Sequence, residues 1–210
     1  MIFIKHFFSL LNRTSIVLGY FPVVIFVIFN LIRTHNVSIV KKWYTFSHFC
    51  YKATSRTDNK KYFLKLRNPF SSMYNFVSGR NHPTTEEQIH TFENLPQEVS
   101  IFFPQVTQIK GFIAMEYLED FWSPEIHLLQ DDDREFIARD AIRMLNLLHG
   151  AGFVHGDIKL KNMLYKNKDT KKLFFVDIDY LEHSTPNRLV YEKLQEESLL
   201  KTLGFSAHKE

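Results

Sequence analysis

The stretch FVHGDIKLKNMLY at residues 153–165 constrains this chain more than any other. A carboxylate, Asp157, is followed two residues later by Lys159 and five residues later by Asn162. Fifteen residues beyond Asn162, a second carboxylate, Asp177, stands in the apolar run LFFVDID at 173–179. That order suits phosphoryl transfer from a metal-bound nucleotide. One carboxylate orients the attacking hydroxyl, Asn and Asp hold the metal, and the lysine neutralises charge on the moving phosphate. The flanking sequence dictates the local frame. The acidic start DDDREF at 131–136 opens a helix with apolar positions Ile137, Ala141, Met144, Leu145 and Leu148, and Gly150 or Gly152 ends it with a residue able to take positive φ. Residues 163–165, a polar turn over 166–170 and residues 173–176 predict a hairpin. Asn162 and Asp177 then lie at its two ends and close in space, as a magnesium site needs.

Composition narrows the classes. With 210 residues the chain suits one domain or one small two-lobed domain. A hydrophobic share of 45% with 23% charged residues excludes global disorder. Net charge is only +3 and no basic stripe is present, so nucleic acid is not an expected partner. Cys50 is the only cysteine, which rules out an intrachain disulfide and fits a reducing compartment. Residues 15–32 carry no charge and are bracketed by Arg13 and Arg33, which meets the minimum length for crossing a bilayer. A membrane span or surface anchor is the expectation for 1–36. Its rivals are a buried structural element and a cleaved signal, the latter lacking small residues near Asn30. Basic residues on both sides (Lys5 and Arg13; Arg33, Lys41 and Lys42) bias the rest of the chain only weakly to the cytoplasm.

From Val37 the texture changes to short strands. Residues 49–55, a polar turn at 56–59 and residues 60–66 read as a β-hairpin, with Lys65 on the face opposite Leu64 and Leu66. Taken alone, such a strand lysine is expected to be exposed. Residues 82–95 read as a helix capped by Thr84 or Thr85, with Glu86 and Glu87 in its first turn and Ile89, Phe92 and Leu95 buried. Residues 112–120 form an apolar strand with a polar exit through Glu116, Tyr117 and Leu118.

These motifs, in order with HGDIKLKN, VDID and the upstream LLHGAGFV, resemble the protein-kinase-like superfamily over roughly residues 37–179. The resemblance implies an α+β, two-lobed protein-kinase-like fold with a shortened C-terminal lobe, preceded by an apolar N-terminal segment. The implied divisions are 1–36, 37–118 and 119–210. It implies ATP and Mg2+ as cofactors. Asp157 would then accept the acceptor's proton and Lys159 contact the γ-phosphate, while Asn162 and Asp177 ligate magnesium. Lys65 would hold the inner phosphates with Glu87 as its partner, Glu86 being the close alternative. The Glu116 carbonyl and Leu118 amide would read the adenine edge. Asp179 either assists at the metal or is a solvated carboxylate, and His155 buttresses the loop.

The chain also departs from that pattern. Gly156 replaces the arginine of regulated protein kinases, and Asp179 replaces the glycine of the metal motif. The segment between Val37 and Phe49, where a glycine-rich phosphate loop belongs, has no glycine, and Thr45 and Ser47 hydroxyls are its candidate substitutes. Only 31 residues follow Asp179, without the usual peptide-binding subdomain. Of these, 186–203 read as one amphipathic helix using Leu189, Val190, Leu194, Leu199, Leu200 and Leu203. The shortened lobe is similar to bacterial lipopolysaccharide-core kinases. That likeness implies a glycolipid or sugar acceptor (Kdo or heptose) at the cytoplasmic face of the inner membrane. The alternatives are a small Ser/Thr protein kinase, motivated by Lys159, and a non-catalytic binding module, motivated by the glycine-free loop.

Overall fold

The structure is a computed structural model that describes residues 37–44, 48–56, 59–67, 83–109, 112–167 and 171–205. The chain divides into two compact units, one holding the residues up to Thr85 with Val106–Tyr117, the other holding Glu86–Gln105 and everything from Leu118 onward. The uncharged stretch 15–32 and the substitutes Thr45 and Ser47 lie outside the described residues. Among the described residues, no helix is long and apolar enough to cross a membrane.

The first unit is a five-stranded antiparallel sheet. Strands β1 (Val37–Tyr44), β2 (His48–Ser55), β3 (Lys61–Arg67), β4 (Val106–Ile109) and β5 (Phe112–Glu116) lie in the order β1-β2-β3-β5-β4. The hairpin expected from alternation is β2–β3, in register from His48↔Arg67 to Thr54↔Lys61. Period-2 alternation sends Phe49, Tyr51 and Ala53 of β2 to one face with Leu64, Phe112 and Ala114. There Tyr51 and Phe112 meet edge to face at 6.2 Å. Lys65 stands in register with Cys50 and Ile113 instead, facing away from that core. It is only 7% exposed, not the solvated residue that a strand lysine taken alone would be.

The second unit is built on α3 (Asp131–Gly150), preceded by α1 (Thr85–Glu93) and the single-turn α2 (Gln97–Ser100). All five apolar positions expected from its period are buried, together with Ala138. The helix ends at Gly150, and it is Gly152, at φ +83°, that turns the chain. This turn feeds β6 (Phe153–Val154), which pairs with β9 (Glu182–His183). Next comes the expected hairpin, β7 (Met163–Lys166) with β8 (Lys172–Phe175). The buried Tyr165 hydroxyl donates to Asp133 at 2.7 Å, and Lys171 Nζ reaches the same carboxylate at 2.8 Å. The hairpin is thereby tied to the first turn of α3. Burial and the Asp133 bond push the Tyr165 phenol well above its ordinary range.

The last helix, α4 (Pro186–Leu203), starts with Pro186 at its first position and Thr185 accepting from the Arg188 amide at 3.4 Å. It ends at Gly204 with φ +94°. Its inward face differs from the expected leucine stripe. Leu199 and Leu203 are buried, but Val190 and Leu194 are 63% and 59% exposed, and the fully buried residue in the first half of the helix is Glu192. Positions 192, 195, 199 and 203 share one side of a 3.6-residue helix. Its first two positions are polar because they meet a loop with main-chain groups to satisfy, and its last two are apolar.

Candidate active site

The loop at residues 155–159 follows β6 with no ladder to continue, so its main chain finds partners one by one. Gly156 N–H donates to Glu192 Oε1 at 2.6 Å, Asp157 N–H to His155 Nδ1 at 3.4 Å, and Ile158 N–H to Gln195 Oε1 at 3.0 Å. Every amide of the loop centre therefore has an acceptor. Asp157 Oδ2 takes the Lys159 ammonium as an ion pair and the Asn162 Nδ2 amide at 2.8 Å. Asn162 Nδ2 also donates to the Asp157 carbonyl at 3.0 Å. The three loop residues picked out by spacing are thus one hydrogen-bonded group. Both the cationic and the amide donor fall on Oδ2. His155 is fully buried, lies parallel to Phe103 at 6.0 Å and meets Phe175 at 5.6 Å. Burial depresses its pKa, with the carboxylates of Glu192, Asp177 and Asp157 opposing. The lowered pKa favours the neutral ring.

The loop bearing Asp177 approaches from the far end of the hairpin. Val176 N–H donates to the Asn162 carbonyl at 2.9 Å, which sets Asn162 and Asp177 at the mouth of β7–β8. Asp177 adopts φ 71°, ψ 66°, a left-handed conformation that costs a non-glycine residue about 1 kcal/mol. Such strain at a carboxylate marks a site whose geometry is held by its surroundings. Asp179 is buried, not solvated, and its carbonyl accepts from the buried Gln88 Nε2 of α1 at 3.0 Å. Gly156 explains itself here. At φ +78° a Cβ would lie 2.7 Å from Tyr180 Cβ and 2.8 Å from the Tyr180 carbonyl oxygen. The arginine of regulated protein kinases has no room at this position.

The donor set fits a hard divalent cation. With Asn162 Nδ2 committed to Asp157, its amide oxygen is the free-facing atom, and Asp177 adds a carboxylate a main-chain bond away. Among the described residues no group of three His, Cys, Asp or Glu side chains converges. Mg2+ takes one or two protein oxygens and fills its shell with phosphates and water.

Residues 27–191 match the RIO domain family. The chain belongs to the RIO domain family. RIO domains are part of the protein-kinase-like superfamily, and their members are atypical kinases that hydrolyse ATP or phosphorylate themselves and bind ATP with Mg2+. No curated protein matches the chain. The mixed α/β architecture, with its sheet and few helices, is compatible with the kinase-like fold expected from the motifs.

Within this RIO domain the residues expected at the nucleotide fall on both units. Lys65 is on β3, and Glu116 ends β5, where Tyr117 N–H donates to the Lys61 carbonyl at 2.9 Å. Leu118 opens the second unit. Glu87 and Glu86 are both exposed in the first turn of α1, whose buried residues are Gln88 and Ile89. Three site residues escaped periodicity: Gln88, Glu192 and Gln195. Each is a polar residue on the inward side of a helix, and that mismatch was the available signal.

Proposed function

We propose that this RIO domain transfers the γ-phosphate of ATP to a hydroxyl. The observation that carries the reading is the Asp157–Lys159–Asn162 group, assembled with both donors on one carboxylate oxygen. Asp157 Oδ1 orients the acceptor and takes its proton. Lys159, already at Asp157, balances charge on the transferred phosphoryl group. Asn162 and Asp177 are the residues that would hold Mg2+, which when bound draws together and neutralises phosphate oxygens. Lys65, Glu87, Glu116 and Leu118 are proposed for the nucleotide, Lys65 at its inner phosphates and Glu116 and Leu118 at its adenine edge.

Two readings of the acceptor each have support. Family membership favours a protein hydroxyl, including one on the chain itself. The lipopolysaccharide-core sugar reading, with Kdo or heptose as acceptor at the inner membrane's cytoplasmic face, draws support from residues 178–185. They connect Asp177 to α4 through only a short helical turn and the two-residue strand β9. The uncharged run 15–32 is consistent with the same location. Incubation with γ-labelled ATP and cell extract separates the two. Label in a protein band that vanishes with Asp157→Ala supports the family reading, and label in a glycolipid spot supports the sugar reading. Label in neither, with no ATP consumed, contradicts phosphotransfer.

A further inference from the structure

The second unit carries a groove between α2 and α3 that phosphotransfer does not use. It holds about 610 Å³ and is lined by Glu98 and Ile101 on one wall and by Arg139, Ile142, Arg143 and Leu147 on the other. The α2 wall is held rigidly. Ile101 N–H donates to the Gln97 carbonyl at 3.3 Å, and Phe102 N–H to the Val99 carbonyl at 3.1 Å. Phe175 N–H of β8 donates to the Phe102 carbonyl at 2.7 Å, which ties this turn to the core hairpin. Val99 and Phe102 are buried as a result, and Ile101 is turned outward at 55% exposure. On α3 the core positions 137, 141, 144, 145 and 148 take one side, so Arg139, Ile142 and Arg143 face away from them.

The two arginines are poised and not consumed. The Arg139 guanidinium lies over the Phe136 ring at 5.4 Å, and its nearest carboxylate, Asp140, stands at 3.8 Å, the limit of an ion pair. The Arg143 guanidinium lies over the Phe102 ring at 5.8 Å, and among the described residues no carboxylate pairs with it. Resting a guanidinium on an aromatic face limits its freedom without using its N–H donors. An outward isoleucine beside two such cations calls for an occupant that is both apolar and anionic. A helix laid along α3 meets that demand. Carboxylates four residues apart are spaced as Arg139 and Arg143 are, about 6 Å along the axis, and apolar side chains on the adjoining row reach Ile101, Ile142 and Leu147. A phosphate-rich surface fits less well, because Glu98 on the facing wall repels it and the apolar lining gives it nothing.

We propose that the α2–α3 groove docks an acidic, amphipathic helical segment of a protein partner. Arg139 and Arg143 pair with its carboxylates one turn apart, and Ile101, Ile142 and Leu147 receive its apolar side chains. Glu98 fixes the orientation, since only the α3 wall accepts the acidic row.

The test titrates the full chain into a fluorescein-labelled, alanine-based synthetic helix with Glu at i and i+4 and Leu at i+3 and i+7. One control peptide has Lys for both Glu, and a second has Ser for both Leu. Anisotropy is expected to give a Kd of about 10–100 µM for the acidic peptide, weakening as salt rises, and at least about tenfold weaker binding for each control. Arg139→Glu and Arg143→Glu should each weaken the acidic peptide about tenfold, and the double variant should prefer the Lys peptide. Both substitutions fall on exposed positions, so urea unfolding and Mg-ATP turnover should match the native chain. Peptide-induced NMR shift changes should centre on Ile101 and residues 139–147. No binding of the acidic peptide overturns the proposal, as does equal binding of the Lys peptide or indifference to both arginine variants. Binding to phosphatidylglycerol vesicles that requires Arg139 and Arg143, with none to the peptide, overturns it in favour of a membrane surface.

Discussion

At Gly156 a single missing Cβ decides how closely two loops approach. Alanine there meets Tyr180 at 2.7–2.8 Å and must hold φ near +78°. Gly156→Ala is expected to lower stability by about 2 kcal/mol, read from urea unfolding, with a larger proportional loss of activity. His155 makes a second prediction. Its folded pKa lies below the ordinary 6.5, so the unfolded chain binds the proton more readily. The neutral ring's contribution is therefore present above that value and lost as pH falls through it. Unfolding free energy should drop on acidification through the ordinary histidine range, and His155→Phe should flatten that slope in denaturation curves taken across it. At this scale the sequence was most legible. Asp157, Lys159 and Asn162 stand at fixed offsets within one loop, and covalent spacing alone brings them together. Gln88, Glu192 and Gln195 were not legible, because nothing local ties a polar residue on a helix to a loop over 30 residues earlier or 90 residues later.

Among the elements, α3 and the β7–β8 hairpin followed their hydrophobic periods closely, since each buries apolar side chains against apolar neighbours. Helix α4 did not. A stripe of leucines read as one inward face is in fact split, with Leu199 and Leu203 inside and Val190 and Leu194 in solvent. Six apolar positions spread around the helix allow two choices of inward face, and the hydrogen-bonding demand of residues 156–158 selects the one bearing Glu192 and Gln195. Leu199→Ala should accordingly cost about 2–4 kcal/mol, whereas Leu194→Ser should change stability by no more than about 0.5 kcal/mol. Thermal melts of the two variants check the assignment, and a reversed order would show that the helix faces the other way.

On the scale of the whole molecule, the chain joins a five-stranded antiparallel unit bearing Lys65 to a helical unit bearing Asp157, Asn162 and Asp177. The kinase-like class was readable because its motifs are strung in a fixed order, and the RIO domain match over residues 27–191 agrees with it. The branch was less readable. Departures such as the missing arginine at Gly156 reflect local steric demands as much as substrate, so they do not point to one acceptor. Mg-ATP binding is the property on which every functional statement rests, and a ligand stabilises only the state that binds it. The decisive measurement is the melting temperature with and without saturating Mg-ATP, in the native chain and in Asp177→Ala. The expected result is a rise of several degrees in the native chain, which ligand at about 100 times Kd would give, and little or none in the variant. Equal shifts would contradict the metal site at Asn162 and Asp177, and no shift in either would contradict nucleotide binding itself.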